Sequence, residues 1–321
     1  MRYIHIPGTD LKPAQIVMGS VCSIEGPVDD AYRILDMYRD AGGNMLDSAN
    51  VYGKFFDAGT NICDEHIGNW LKTRGCRSSF IVETKGGHPD PSRPEVKRLR
   101  KEDIQADIEE SLRALQTDTI DLFFLHRDDE SISAGEILEY LNEFKRQGKI
   151  RYFGVSNWRA GRIREASEYA EKLGIQGFSA DQTLWSMAEP NMDYYPWTGC
   201  TNMDQDAYEM HEQTGMAAFA YESQARGFFQ KYHDGGRQNI PENLYRLYWS
   251  EKNIGRYNRA LELAEEKQVS LSAVILLYLL NRPFPSAALI GPRTEEQYLQ
   301  SMEAADRILS REEICYIEEG K

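Results

Sequence analysis

The chain has 321 residues, 41% of them hydrophobic and 27% charged, which is enough to bury a large core and leaves no stretch with a disordered, collagenous or low-complexity composition. Its net charge of −14 and pI of about 5.0 argue against the basic face that nucleic-acid binding needs, while a small anionic ligand requires only a few local cations. The five cysteines (Cys22, Cys63, Cys76, Cys200 and Cys315) are odd in number and widely spaced, as in a reducing compartment. With no apolar signal core at the N-terminus, the expected location is the cytoplasm. The longest apolar run, Ala273 to Leu280, is too short to span a bilayer and predicts a buried helix. Cys63 and His66 form a lone Cys-x-x-His with no second cluster, so no metal site is expected.

In chain order, Tyr3 to Ile6, Pro-Gly-Thr-Asp and Leu11 predict a small N-terminal hairpin. Short apolar runs then alternate with amphipathic segments. The expected strands are Gln15–Gly19, Asn44–Asp47, Ser79–Thr84, 120–125, 151–155, 177–181, 216–220 and 287–290. The expected helices are Asp29–Ala41, Cys63–Thr73, 103–115, 134–147, 160–172, 203–213 and 271–280, and another begins near Thr294. Between strands seven and eight the long connection Glu222–Val269 carries an extra helix near Asn253–Lys267, and Arg311–Glu318 is a final helix. No Pro/Gly/Ser-rich linker divides the chain, so residues 1–321 read as a single domain.

Periodicity alone does not distinguish a closed barrel from an open doubly wound sheet. The polar residues do: Asp47, Lys85, His126, Ser156-Asn157, Gln182 and Tyr221 each stand at or just past the end of a different expected strand. Convergence of chemistry at strand C-termini is the mark of a (β/α)8 TIM barrel, an α/β fold, here with an N-terminal hairpin and extra C-terminal helices.

Three segments carry most of the chemistry. Asn44-Met-Leu-Asp-Ser-Ala-Asn-Val-Tyr-Gly53 ends a strand on an acid and places a tyrosine five positions later. Ile81-Val-Glu-Thr-Lys-Gly-Gly87 ends a strand on lysine, and Ile120-Asp-Leu-Phe-Phe-Leu-His-Arg127 ends one on histidine. Singly, Asp47 could cap a turn, Tyr52 could be a loop aromatic and His126 a satisfied core histidine. Lys85 is harder to dismiss, because an ammonium ending an apolar strand needs a partner.

Together with Gly154-Val-Ser-Asn157, these segments stand in the order of the aldo-keto reductase family, which the sequence resembles over nearly its whole length. The resemblance implies a catalytic tetrad of Asp47, Tyr52, Lys85 and His126 and hydride transfer between a nicotinamide cofactor and a carbonyl or alcohol: an aldehyde, ketone or sugar. Tyr52 would be the general acid, or the base in reverse. Lys85 would lower its pKa, Asp47 would hold Lys85, and His126 would orient the substrate oxygen. No Gly-x-Gly-x-x-Gly or P-loop is present, so the cofactor would lie on the barrel rim.

By the same resemblance Gly19, Ser20, Val21 and Asp47 would line that rim, Ser156, Asn157 and Gln182 would hold the carboxamide, and Tyr221 would stack on the nicotinamide. Glu222, Gln224 and Arg226 fall where the family often reads Tyr-Ser-Pro-Leu-Gly-Arg-Gly; here the loop is Tyr221-Glu-Ser-Gln-Ala-Arg-Gly227. Gly291 and Arg293, before a helix start, resemble the clamp for an adenosine 2′-phosphate, so NADP(H) is preferred over NAD(H). Gln297 and Ser301 would face the adenine, although many relatives carry Asn in place of Ser301. On the substrate side the candidates are Cys22, Phe55, Phe56, His88, Trp158 and Trp185 together with Tyr52 and His126, though both tryptophans also suit packing. The competing readings are a cofactor-binding regulatory barrel, as in the potassium-channel beta subunits that resemble this family, and a metal-dependent barrel hydrolase or isomerase. The latter needs clustered ligands at strand ends, where only His126 is so placed. Substrate, direction and oligomeric state are not encoded legibly.

Overall fold

The computed structural model of the chain describes residues 1–20, 26–55 and 60–321. Within them eight parallel strands close in chain order into a barrel. They are β1 (Ile16–Gly19), β2 (Met45–Asp47), β3 (Ile81–Gly86), β4 (Ile120–Leu125), β5 (Ile150–Ser156), β6 (Ala180–Leu184), β7 (Ala217–Tyr221) and β8 (Ser286–Ile290). The seam is the parallel pairing of β1 with β8. Around it run α1 (Val28–Asp40), α2 (Ile62–Arg74), α3 (Lys101–Leu115), α4 (Ala134–Arg146), α5 (Ala160–Leu173) and α6 (Gln205–Thr214). Four helices link β7 to β8: α7 (Phe228–Gly235), α8 (Glu242–Tyr248), α9 (Glu251–Lys267) and α10 (Leu271–Leu280). After β8 come α11 (Glu295–Met302) and α12 (Arg311–Glu319). No helix among the described residues is long and apolar enough to cross a membrane.

Successive side chains of a strand point to opposite faces, so each barrel strand feeds two cores at once. Val17, Met45, Leu122, Phe124, Ala180 and Phe219 meet inside the barrel. Their chain neighbours Ile16, Leu46, Phe123 and Ala218 point outward into the larger core shared with the helices. Gly154 makes the inner core possible: a Cβ there would lie 2.7 Å from the Phe124 ring and 2.5 Å from the Ala180 carbonyl oxygen. The N-terminal hairpin closes one end. Ile6 and Leu11 join the inner cluster, and Ile4 and Ile6 donate to the Pro13 and Leu11 carbonyls.

Helix ends follow local chemistry. Asp204 caps α6 by accepting from the Ala207 amide, and Gly215, at φ 68°, stops it. In α10 every residue is buried, as its unbroken apolar run requires.

The expected N-terminal hairpin pairs through the bridge Tyr3 to Ala14. Two features differ from the sequence expectation. The connection between β7 and β8 contains α7 and α8 as well as α9. Strand β6 runs over Ala180–Leu184, three residues later than expected, because its register is set by pairing with β5 and β7 and not by its own short apolar run.

Candidate active site

Period-two alternation lifts one polar residue above each apolar inner layer. Asp47 stands above Met45, Lys85 above Glu83, His126 above Phe124, Ser156 above Gly154, Gln182 above Ala180 and Tyr221 above Phe219. Six strands thereby deliver polar groups to one mouth.

Tyr52 arrives differently. Beyond β2 the chain continues along β3, with the Ser48 amide donating to the Glu83 carbonyl at 3.0 Å and the Asn50 amide to the Lys85 carbonyl at 2.8 Å. Asn50 and Lys54 are then tied to Glu110 of α3, at 3.1 and 2.8 Å. Gly53, at φ 100°, turns the chain where a Cβ would strike Ile62 at 2.6 Å. The result is a partly buried phenol whose ring centroid is 5.3 Å from Lys85 Nζ and 5.7 Å from the His126 ring.

Lys85 is buried and held by Asp47 and by the Ser48 carbonyl, the latter at 2.7 Å. Gln182 Nε2 donates to Asp47 Oδ1 at 3.0 Å and to Glu83 Oε1 at 2.8 Å. The expected contact of Gln182 with a carboxamide thus competes with an existing role beneath Lys85. Although burial disfavours its charge, the acidic pair of Asp47 and Glu83 pushes Lys85 above the ordinary lysine value. Tyr52 departs from expectation. Its phenol is pushed up to about 12, because burial outweighs the Lys85 charge that pulls the other way. His126 is pushed well below the ordinary histidine value by burial and then by His88, Arg127 and Lys85, so its ring is neutral at physiological pH. His88 is pushed down to about 4, mostly by burial and then by Arg127.

The mouth is aromatic on one side. The His88 ring lies 4.8 Å from His126 and 5.2 Å from Phe55, which is half exposed. Trp158 and Trp185, candidates for the substrate wall or for packing, are both buried. Trp158 packs on Phe178 at 5.2 Å, and Trp185 packs on Phe284 at 6.0 Å with the Arg282 guanidinium 5.6 Å away. Both belong to the larger core shared with the helices, the packing role that the sequence also allowed. Val21, Cys22 and Phe56 lie outside the described residues.

The rest of the rim is tied together by side chains. Asn157, at φ 63°, donates to the His126 carbonyl at 3.2 Å and to Ser156 Oγ at 2.9 Å, and accepts from the Tyr221 hydroxyl at 2.7 Å. Ser20 Oγ bonds Ser48 Oγ at 3.2 Å, and a Cβ on Gly19 would sit 3.9 Å from Asp47 Oδ2. After β7, Glu222, Ala225, Arg226 and Gly227 all take left-handed φ values between 50° and 75°. Three non-glycine residues in that region mark a loop held by its surroundings. The ties are the Glu222–Arg226 pair at 2.5 Å and the Tyr195 and Tyr248 hydroxyls, which donate to Glu222 at 3.0 and 3.2 Å. Gln224 donates to Ser301 Oγ at 3.2 Å.

Gly291 opens onto free space, and the exposed Arg293 precedes α11, where Gln297 accepts from the Arg293 amide at 2.9 Å. Lys231 of α7 stands in the field of Arg293, and burial followed by that like charge pushes its ammonium below the ordinary lysine value. A cation at a helix start suits a phosphate, and Lys231 adds to the positive field near Arg293. Lys231 was not identified from the sequence, since its helix was not. Glu83 was also missed, although it stands two positions before Lys85 and therefore on the same inward face.

Comparison with known proteins agrees with this arrangement. The sequence profile of the Aldo/keto reductase family matches residues 18–320. The aldo-keto reductase ausK of Emericella nidulans is 29% identical over 308 residues, covering 90% of this chain and 72% of that protein. An aryl-alcohol dehydrogenase of Pestalotiopsis microspora is 27% identical over 298 residues, covering 90% and 72%. A norsolorinic acid reductase of Aspergillus flavus is 26% identical over 309 residues, covering 93% and 74%. With its closed eight-stranded barrel and a profile match over nearly its whole length, this chain belongs to the aldo/keto reductase family, a family of oxidoreductases that generally use nicotinamide cofactors.

Proposed function

We propose that this protein, a single domain over residues 1–321, is an NADP(H)-dependent carbonyl reductase or alcohol dehydrogenase in which Tyr52 is the general acid and, in reverse, the general base. The observation that carries the reading is the placement of Tyr52 over the buried Lys85–Asp47 pair with neutral His126 beside it. A bound nicotinamide would supply or accept the hydride. Reduction also needs a proton at the carbonyl oxygen, and Tyr52 holds one throughout the neutral range. Lys85 stabilises the phenolate left behind, so its charge acts on the transition state more than on the resting enzyme. His126, uncharged, orients the oxygen without competing as an acid.

The rim fits the phosphate-bearing part of such a cofactor. Its left-handed loop after β7 and the Arg293–Lys231 pair at the start of α11 offer backbone amides and cations to a polyanion in an otherwise acidic protein. We assign Arg293 to the 2′-phosphate, Gln297 and Ser301 to the adenine side, and Ser156 and Asn157 to the carboxamide. Tyr221 would pack on the ring. Relatives named for aryl alcohols and norsolorinic acid, together with Phe55 and His88 at the mouth, favour an aromatic carbonyl over a sugar. We assign the protein to the cytoplasm, since the odd number and wide spacing of its five cysteines suit a reducing compartment.

The test is a fluorescence titration with NADPH and NADH, followed by turnover of aromatic and sugar aldehydes. Tight NADPH binding with reduction of aromatic aldehydes is expected. Binding without turnover of either class would leave a cofactor-binding barrel with little activity, and no binding would overturn the reading.

A further inference from the structure

Lys85 is one cation shared by two carboxyls. Asp47 and Glu83 are cross-strand neighbours on β2 and β3. Both are buried, Glu83 completely. Each accepts from Gln182 Nε2, and each faces Lys85 Nζ, Asp47 in a direct hydrogen bond and Glu83 Oε1 at 3.2 Å. Cross-strand pairing and the shared Gln182 nitrogen hold the two carboxyls side by side. Glu83 Oε2 receives no donor among the described residues.

The charges do not balance if both acids ionise. Two carboxylates and one ammonium would leave a net negative charge inside the barrel, with Leu122 as the cross-strand neighbour of Glu83, where burying an unpaired charge is severely unfavourable. Two carboxylates in contact repel, whereas a carboxylic acid beside a carboxylate makes a strong hydrogen bond. The groups that face Glu83 are Asp47 from β2, Lys85 from its own strand and Gln182 from β6, with the Tyr52 phenol beyond Lys85. Asp47 has the closer hold on Lys85 and keeps the negative charge.

We propose that Glu83 is a neutral carboxylic acid in the working enzyme, donating its proton to Asp47 and acting as a positioning residue that fixes Gln182 and the Lys85–Asp47 pair beneath Tyr52. Burial and the Asp47 charge both drive Glu83 well above the usual carboxylate range. The consequence is a buried Lys85–Asp47–Glu83 group with no net charge, so the ammonium is left to act on Tyr52. When Glu83 ionises at higher pH, a second carboxylate competes for Lys85. Tyr52 then becomes a weaker acid, and reduction fails earlier on the alkaline side.

The protonation state stands on the buried cross-strand geometry, with the upward drive on Glu83 beside it, while its effect on turnover rests on the reading of Tyr52 as the acid, so two readouts are needed. The first is an infrared difference spectrum between the wild-type full chain and Glu83→Gln at neutral pH, which needs no substrate. The expected result is a carboxylic-acid C=O band present in the wild type and lost in the variant. The second is the pH profile of kcat/KM for aldehyde reduction. Glu83→Gln mimics the neutral acid, so neutral-pH turnover should stay within about threefold, and the alkaline limb should move to higher pH. Absence of the acid band, a loss of more than about tenfold at neutral pH, or an unmoved alkaline limb would each overturn the proposal. A protein that reduces no aldehyde fails the functional reading, while the infrared result still decides the state of Glu83. If Glu83→Gln does not fold, carboxyl-carbon NMR titration of glutamate-labelled wild type replaces the difference spectrum. One Glu carboxyl still protonated at pH 7 supports the proposal, and none overturns it.

Discussion

The Lys85 ammonium lies 5.3 Å from the centroid of the Tyr52 ring, yet the phenol is pushed up to about 12. Burial is the larger influence, the Lys85 charge opposes it, and the negative charge that the Asp47–Glu83 pair carries partly cancels that charge. On the proposed acid role of Tyr52, the pair keeps a proton on the phenol at rest and stabilises its loss only when charge develops.

Replacing Tyr52 by Phe should lower turnover by roughly 10²- to 10⁴-fold, the usual contribution of a positioned acid. Cofactor affinity by fluorescence and the melting temperature should stay near wild type. A decrease smaller than about tenfold in steady-state reduction would remove Tyr52 from the acid role.

Arg293→Ala should weaken NADPH about 10- to 100-fold, the range for losing a charge-assisted pair with a phosphate, and leave NADH nearly unchanged. Equal losses for both nucleotides in a binding titration would show that Arg293 does not read the 2′-phosphate.

Acid should destabilise the fold through the histidines at the mouth. His88 falls from 6.5 to about 4 in the folded chain, so the fold holds its ring neutral while the unfolded chain takes up a proton. That contribution is present above pH 6.5 and is lost as pH falls through about 4. Urea midpoints measured at pH 7 and pH 5 should therefore drop toward acid, and His88→Asn should reduce the drop. An identical drop in the variant would assign the acid sensitivity elsewhere.

Trp185 offers a test of wall against core. Buried against Phe284 and Arg282, it should cost about 3–5 kcal/mol of stability on truncation to Ala, with KM for aromatic aldehydes little changed. A large rise in KM at unaltered stability would return Trp185 to the pocket.

Much of this protein was legible in its sequence, because barrel strands obey a strict period of two and end where chemistry is wanted. Asp47, Lys85, His126 and Ser156 could be placed at strand ends from the apolar runs beneath them, and the same alternation puts Glu83 inside the barrel two residues before Lys85. What one strand cannot specify is its neighbour. The register of β6, and with it the double hydrogen bond from Gln182 to Asp47 and Glu83, is decided by ladders to strands far away in sequence. The packing of Trp158 and Trp185 into the larger core, the influence of Arg293 on Lys231, and the rise of the Tyr52 phenol are of the same kind. Residue type sets which charges and hydrogen bonds a chain can make. Desolvation and pairing energies depend on the distances that only closure of the barrel creates.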